Sequence, residues 1–202
     1  MRILLIPDKF KGSLSAQGVI DALSRGIVKA HPEAIFASVL ASDGGDGFLK
    51  SISQNITCQE VGIETVDALG RTMRSSYLLD HSSDSAFIEL AKSSGLELLT
   101  SAERTAMDTS TYGSGLEIKD AIANGASKIY VGLGGSATND AGMGIANALG
   151  YRFLDNANVE LKPVGKHLAK VDNIDRQNVH FPSYVSVFAV NDVDNPLFGE
   201  RG

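Results

Sequence analysis

The run Lys128-Ile-Tyr-Val-Gly-Leu-Gly-Gly-Ser-Ala-Thr-Asn-Asp140 decides the architecture. Its first half is an apolar stretch of strand length. Its second half is a turn of small and polar residues that opens a helical pattern over about 139–149, stopped at Gly150. A strand feeding a glycine-rich turn and then a helix is half of a βαβ unit. Such a turn receives anions on backbone N–H groups at the positive end of the helix. Gly142 and Gly144 lie inside the helical pattern, where each costs about 1 kcal/mol relative to Ala. That loss makes sense where the helix lies against a ligand or a neighbouring backbone. The plain alternative is a tight βα turn with no ligand.

Outward from this run, the same alternation recurs. Ile3 to Ile6 reads as a buried strand ending at Pro7, and Ser15 as an N-cap before a helix whose apolar face is Val19, Leu23 and Ile27, with Ile20 beside them. Ile35 to Leu40 is a second strand, and a short helix carries Phe48, Leu49 and Ile52. β-like pieces fill 61–89, a helix covers 114–123, Tyr151 to Leu154 is a fourth strand-like run, 161–180 is mostly loop, and Val185 to Val190 is a last buried strand. The pattern predicts an α/β fold: a parallel sheet with helices on both faces, in two lobes. The first α/β lobe is expected over residues 1–60 and the second over 61–202.

Composition limits the function classes. Hydrophobic residues are 43% and charged residues 21% of 202, as in an ordinary globular chain, and the net charge of −6 argues against nucleic acid or an anionic membrane as partner. Cys58 is alone, so no internal disulfide forms and a reducing compartment is the simplest reading. The apolar start is too short for a signal peptide, and no stretch reaches the roughly 20 apolar residues of a membrane span. The expectation is a cytoplasmic protein. His31, His81, His167 and His180 lack metal-ligand spacing.

Four polar clusters fall just past strand ends, where parallel-sheet enzymes place their sites. Asp8-Lys-Phe-Lys11-Gly-Ser13 offers a cationic turn at a helix start; the alternative is a solvated turn with a capping serine. Asp43-Gly-Gly-Asp46-Gly47 holds two carboxylates in a bare-backbone loop, suited to a base, a metal or a ligand, or simply to a capped turn. The third is Gly134-Gly135-Ser136-Ala-Thr138-Asn139-Asp140, and the fourth Asn191-Asp192-Val-Asp194-Asn-Pro196, which suits Mg²⁺ or a substrate hydroxyl, or an Asx turn. Thr109 to Gly115 reads first as helix capping. Glu89 reads either as a buried carboxylate with a raised pKa or as the outward residue of an alternating strand. Gly132, Gly134 and Ala137 also match the dinucleotide pattern G-x-G-x-x-A, with Asp155 as the ribose acid, which would make an NAD-binding oxidoreductase. Against that reading, the pattern comes late in the chain and its turn is unusually polar. No G-x-x-x-x-G-K-[ST] sequence occurs.

Taken together, Pro7 to Ala16, Asp43 to Gly47, Leu69-Gly-Arg71, Phe87 to Ala91, Thr109 to Gly115, Gly134 to Asp140 and Asp192 to Leu197 resemble, in order, the bacterial glycerate kinases of the glycerate-catabolism type. The resemblance implies ATP- and Mg²⁺-dependent phosphorylation of glycerate to a phosphoglycerate, on a two-lobed fold with a flavodoxin-like lobe. On that footing Asp43, Asp192 and Lys11 are expected as catalytic groups and Asp8, Ser13, Asp46 and Arg71 as substrate contacts. Gly134, Gly135, Ser136, Thr138, Asn139 and Asp140 would hold the nucleotide phosphates, and Asp194 the metal. Lys9 stands where the family commonly has Ser, and Asp46 and Phe48 where Glu and Thr are usual. Family members continue well beyond residue 202, so the chain is expected to be an N-terminal portion, whose own activity depends on what the rest supplies. The oligomeric state is left open.

Overall fold

The computed structural model describes residues 1–7, 10, 13–194, 196 and 199–200. The chain divides into two compact units, residues 1–42 with 50–57, and residues 43–49 with 58–202. The Asp43 to Gly47 loop therefore belongs with the second unit and not with the first 60 residues.

In the first unit, β1 (Arg2–Leu5) pairs in parallel with β2 (Ile35–Ser38) through α1 (Ala16–Ala30). The Ser15 hydroxyl accepts from Gly18 N at 3.1 Å, satisfying one of the free amides at the start of α1. Leu5, Ile20 and Leu40 form the core, with Ile3, Ala16, Ile27 and Phe36 packed on it. The buried stripe is rotated from the expected one: Val19 and Ile20 are buried, but Leu23 is exposed. Of α2 (Phe48–Asn55), the residues from Lys50 on belong to this unit, where the Ser51 hydroxyl donates to Leu40 O.

The second unit is built on five strands: β3 (Gln59–Val66), β4 (Thr72–Asp80), β5 (Ser85–Glu89), β6 (Lys128–Gly132) and β9 (Ser186–Val190), ordered β3-β4-β5-β6-β9. The sheet is mixed, and the expected parallel pairing holds for part of it. β3, β4 and β5 are a meander of antiparallel strands, and only β5, β6 and β9 run parallel. The crossover from β5 to β6 carries α3 (Ala91–Ser94) and α4 (Tyr112–Ala123); α5 (Met143–Ala148) follows β6. β7 (Arg152–Leu154) pairs antiparallel with β8 (Asn173–Asp175) in a ribbon of its own, so Tyr151 to Leu154 adds nothing to the main sheet.

Alternation assigns the two sheet faces. Ala86, Ile88, Ile129 and Val131 join Tyr77 and Leu79 in a core closed by Ile118 and Ala121 of α4. The opposite face carries a row of stacked rings, Phe87 on Tyr130 at 5.3 Å and Tyr130 on Phe188 at 4.9 Å, with Phe48 edge-on to Phe87. Coverage of this face fades across the row: Phe87 is buried, whereas Phe188 is 43% exposed.

α4 lies so close to its neighbours that side chains are excluded at its glycines. A Cβ on Gly113 would overlap Val66 O, and one on Gly115 would stand 2.7 Å from Ile145 Cα. The same helix buries Glu117 completely, with neither carboxylate oxygen hydrogen-bonded among the described residues. Around it are Ser75 on β4, Ser93 and Lys92 on α3, and the hydroxyl cluster of Ser93, Ser94 and Ser114. Burial pushes the Glu117 carboxyl up to about 7; Ser75, Ser93 and Lys92 offset this only in part.

Below its ordinary value of 4.5, Glu117 is protonated in folded and unfolded chains alike. Between there and about 7 the unfolded chain loses the proton that the folded chain keeps, so stability falls as pH rises, by roughly 3 kcal/mol in all. Glu117→Gln is expected to match wild type near pH 4.5 and to gain stability on it at pH 8, measured by urea unfolding. An equal difference at both pH values would refute the account.

Candidate functional site

In the parallel part of the sheet, Glu89 is registered with Gly132, and Gly132 with Val190. These three form the last rung before the strands end, on the face of the aromatic row. Residues 43–49 lie across that rung. The buried Glu89 carboxylate accepts from Gly47 N and Leu49 N, one on each oxygen, both at 3.1 Å. Gly134 N donates to Gly44 O at 3.0 Å, and Leu133 N to Val190 O at 3.1 Å. The approach is too close for side chains. A Cβ on Gly132 would sit 2.6 Å from Gly44 O and 2.9 Å from the Phe48 ring, and one on Gly134 would overlap Gly45 Cα. Gly44 has φ +87° and faces Val190 O in the same way.

Three of the four expected clusters thus meet at one end of this sheet: Asp43 to Gly47, the Gly132 to Asp140 turn, and the segment after Val190. Asp43 is half-buried, with Oδ1 accepting from Gly45 N at 2.8 Å. Asp46 is exposed beside Gly135, whose Cβ, if present, would stand 2.5 Å from Asp46 Oδ1. Asp192 and Asp194 are exposed two and four residues beyond the rung. In the turn itself, Gly135 has φ +74°, and the exposed Ser136 hydroxyl lies 2.8 Å from that of Thr138. Asn139 is exposed.

Other expected residues sit differently. Ser13 belongs to the first unit, where its N–H donates to Phe10 O. Asp8 and Lys11 lie outside the described residues. Several turn amides are already committed to the fold: Gly134 N to Gly44 O, Ala137 N to Ser94 O and Thr138 N to Ser136 Oγ. The two glycines at 132 and 134 therefore serve loop crossing, not an open N–H cradle. Asp140 is 1% exposed and faces the interior. It accepts from Thr111 N at 2.8 Å, from the Thr111 hydroxyl, and from Gly142 N and Gly144 N, which ties the turn to the starts of α4 and α5. Its expected place on a phosphate is thereby replaced by a structural one. Arg71 is held by Asp67 and Glu103. Burial works against the charge on Asp67, but hydrogen bonds from Arg71 and Leu69 outweigh it and hold the carboxyl below its usual range. Asp155 caps its own turn, accepting from Ala157 N and Val159 N, just past a strand that lies outside the main sheet. The dinucleotide arrangement is therefore absent at this position.

Glu89 is the main residue whose importance sequence reading left undecided. Its one signal was alternation, which puts it on the face of Phe87 and at the strand's end. Among the described residues no group of three or more His, Cys, Asp or Glu is placed to hold a metal, and no helix is long and apolar enough to cross a membrane.

A sequence profile of the Glycerate kinase family matches residues 3–202. The chain is 36% identical over 203 residues to the Glycerate kinase of Bacillus subtilis strain 168, and 35% identical over 203 residues to the Glycerate 2-kinase of Escherichia coli K12. Each alignment takes in all of this chain and 53% of the relative. The crystal structure of a Salmonella typhimurium LT2 chain named for glycerate kinase 2 superposes with a TM-score of 0.82 at 34% identity, covering all of this chain and 55% of that one. The chain spans about half the length of the relatives it matches.

Two substitutions probe the crossing. Gly134→Ala, which sets a methyl against backbone, is expected to cost about 1–3 kcal/mol. Glu89→Gln, which turns an acceptor into a donor against an N–H, is expected to cost about 2–3 kcal/mol. Urea midpoints check both, and wild-type stability in either variant would contradict the geometry.

Proposed function

Since this chain belongs to the glycerate kinase family, we propose that the protein phosphorylates glycerate at the expense of ATP, using the sheet end formed by Glu89, Gly132 and Val190 as its platform. The observation that carries this reading is the crossing of the 43–49 loop over the 132–140 turn. It gathers carboxylates and hydroxyls beside a rigid backbone support.

Phosphoryl transfer to an alcohol depends mainly on positioning and on stabilising charge. Asp43, fixed by its turn, is suited to orient the glycerate hydroxyl and accept its proton; Asp192 is the second carboxylate for that task. Asp46 stands beside Gly135, where it can take a hydrogen bond from substrate. Ser136, Thr138 and Asn139 expose hydroxyl and amide groups to the phosphates. Lys11, Asp8 and Ser13 remain proposed contacts on the strength of the family likeness, with Lys11 as counter-charge; Arg71 is already paired and is the weakest of the set. Magnesium, when bound, supplies charge neutralisation on the phosphates. It needs only one or two carboxylates beside phosphate and water. Asp194 would hold it.

Purified gene product given ATP and D-glycerate is expected to release ADP and a phosphoglycerate, and ATP rather than NADH should raise its melting temperature. Asp43→Asn and Asp192→Asn should each lower kcat by about 10²–10⁴ without moving the urea midpoint. Full turnover in both variants would withdraw their roles.

A further inference from the structure

The turn after β3 borders a cleft that the reading above does not use. Its walls are Val66 to Gly70, Ser110 and Tyr112 at the start of α4, Asn147 of α5, and Lys162 with Pro163. Its cavity volume is about 200 Å³, room for one flat aromatic base but less than the roughly 300–1,000 Å³ of pockets that enclose a whole cofactor. Most of the lining is apolar, and the polar groups are few: Ser110, Asn147, the Tyr112 ring and hydroxyl, and Lys162 at the exposed rim. Asp67, also in the wall, is occupied by Arg71 and the Leu69 amide.

Two walls of this cleft are joined to the 132–140 turn. Ala68 packs with Leu99 and Ala137 in one cluster, and Ser110 N donates to Ala68 O. The neighbouring Thr109 hydroxyl donates to Ala137 O at 2.9 Å. On the other side, Gly165, two residues after Pro163, lies so close to Asn139 that a Cβ there would stand 2.9 Å from Asn139 O. A ligand seated in the cleft is thus flanked by the segments that hold the turn's exposed hydroxyls and Asn139.

A three-carbon hydroxy acid neither fills this volume nor gains from apolar walls. A purine does both: its faces match aliphatic and aromatic walls, and its edge matches a few amide and hydroxyl groups. We propose that the cleft seats the adenine base of ATP, with the ribose at its open mouth, Lys162 meeting a phosphate at the rim and the Gly135 to Asn139 turn receiving the rest. This rests on the kinase reading, but it is a separate statement about where the nucleoside sits.

The test is to titrate the ¹⁵N-labelled protein with adenosine, ATP and pyrophosphate and to follow amide shifts. Adenosine and ATP should both move Gly70, Ser110, Tyr112 and Asn147; pyrophosphate should move residues 135–139 without them. Tyr112→Ala should weaken adenosine and ATP together. Lys162→Glu, at an exposed position that leaves the fold intact, should weaken ATP about tenfold and leave adenosine unchanged. Saturable binding with shifts elsewhere, or no saturable binding of either nucleoside ligand, overturns the proposal. Glycerate phosphorylation is measured alongside. Turnover without shifts in the cleft keeps the kinase reading and discards this one; ATP seated in the cleft without phosphoglycerate does the reverse.

Discussion

Glu89 accepts two backbone N–H groups from a loop 40 and 42 positions away in sequence, and the rest of the sheet end is arranged around that fact. A buried carboxylate is costly unless each oxygen is satisfied. Here each oxygen has a donor, so the 43–49 loop is fixed in place at the strand's end. With the loop fixed, Gly44 and Gly45 come within contact of Gly134 and Val190, and only glycine fits at 132 and 134. Backbone crossing backbone is a rigid support, because neither partner has rotamers to relax into. Asp43 and Asp46 inherit that rigidity.

A second buried carboxylate, Asp140, works in the same way one turn further on. Its donors come from Thr111, Gly142 and Gly144, so it joins the polar turn to two helices at once. Glu117 is the contrast. It is equally buried but has no hydrogen-bonded donor among the described residues, and burial pushes its carboxyl up to about 7. Three acids in one unit thus show the two ways a protein interior tolerates a carboxyl group.

Much of this was legible from residues alone. Ser15 as a cap, the strand and turn from Lys128 to Asp140, and the existence of a strand ending at Val190 all follow from local chemistry that tertiary packing did not override; the burial expected of that last strand does not hold, because β9 is an edge strand and mostly exposed. What was hidden has a common cause: periodicity tells which face a residue takes, not which partner lies against it. Residues 61–89 read as β pieces, but the antiparallel return through Asp67 to Arg71 carries no signal of direction, so a parallel sheet was expected. Tyr151 to Leu154 has strand character yet pairs with β8 instead of the main sheet. Asp140 looks like a ligand group because carboxylates usually face water, and only the donors around it reveal otherwise. Leu23 fits an apolar stripe, but a small rotation leaves it exposed.

The two margins of the five-stranded sheet are unlike. Along β3 the outermost strand carries exposed Glu60 and Glu64, charges that discourage another strand from adding. Along β9 the outermost strand is Ser186-Val-Phe-Ala-Val190, uncharged and mostly exposed, with the Phe188 ring beside it only partly covered. Growth by strand addition is thus blocked on one flank and open on the other. Among the described residues, the β9 margin is therefore where ladder groups and an apolar ring lie side by side at the edge of the sheet.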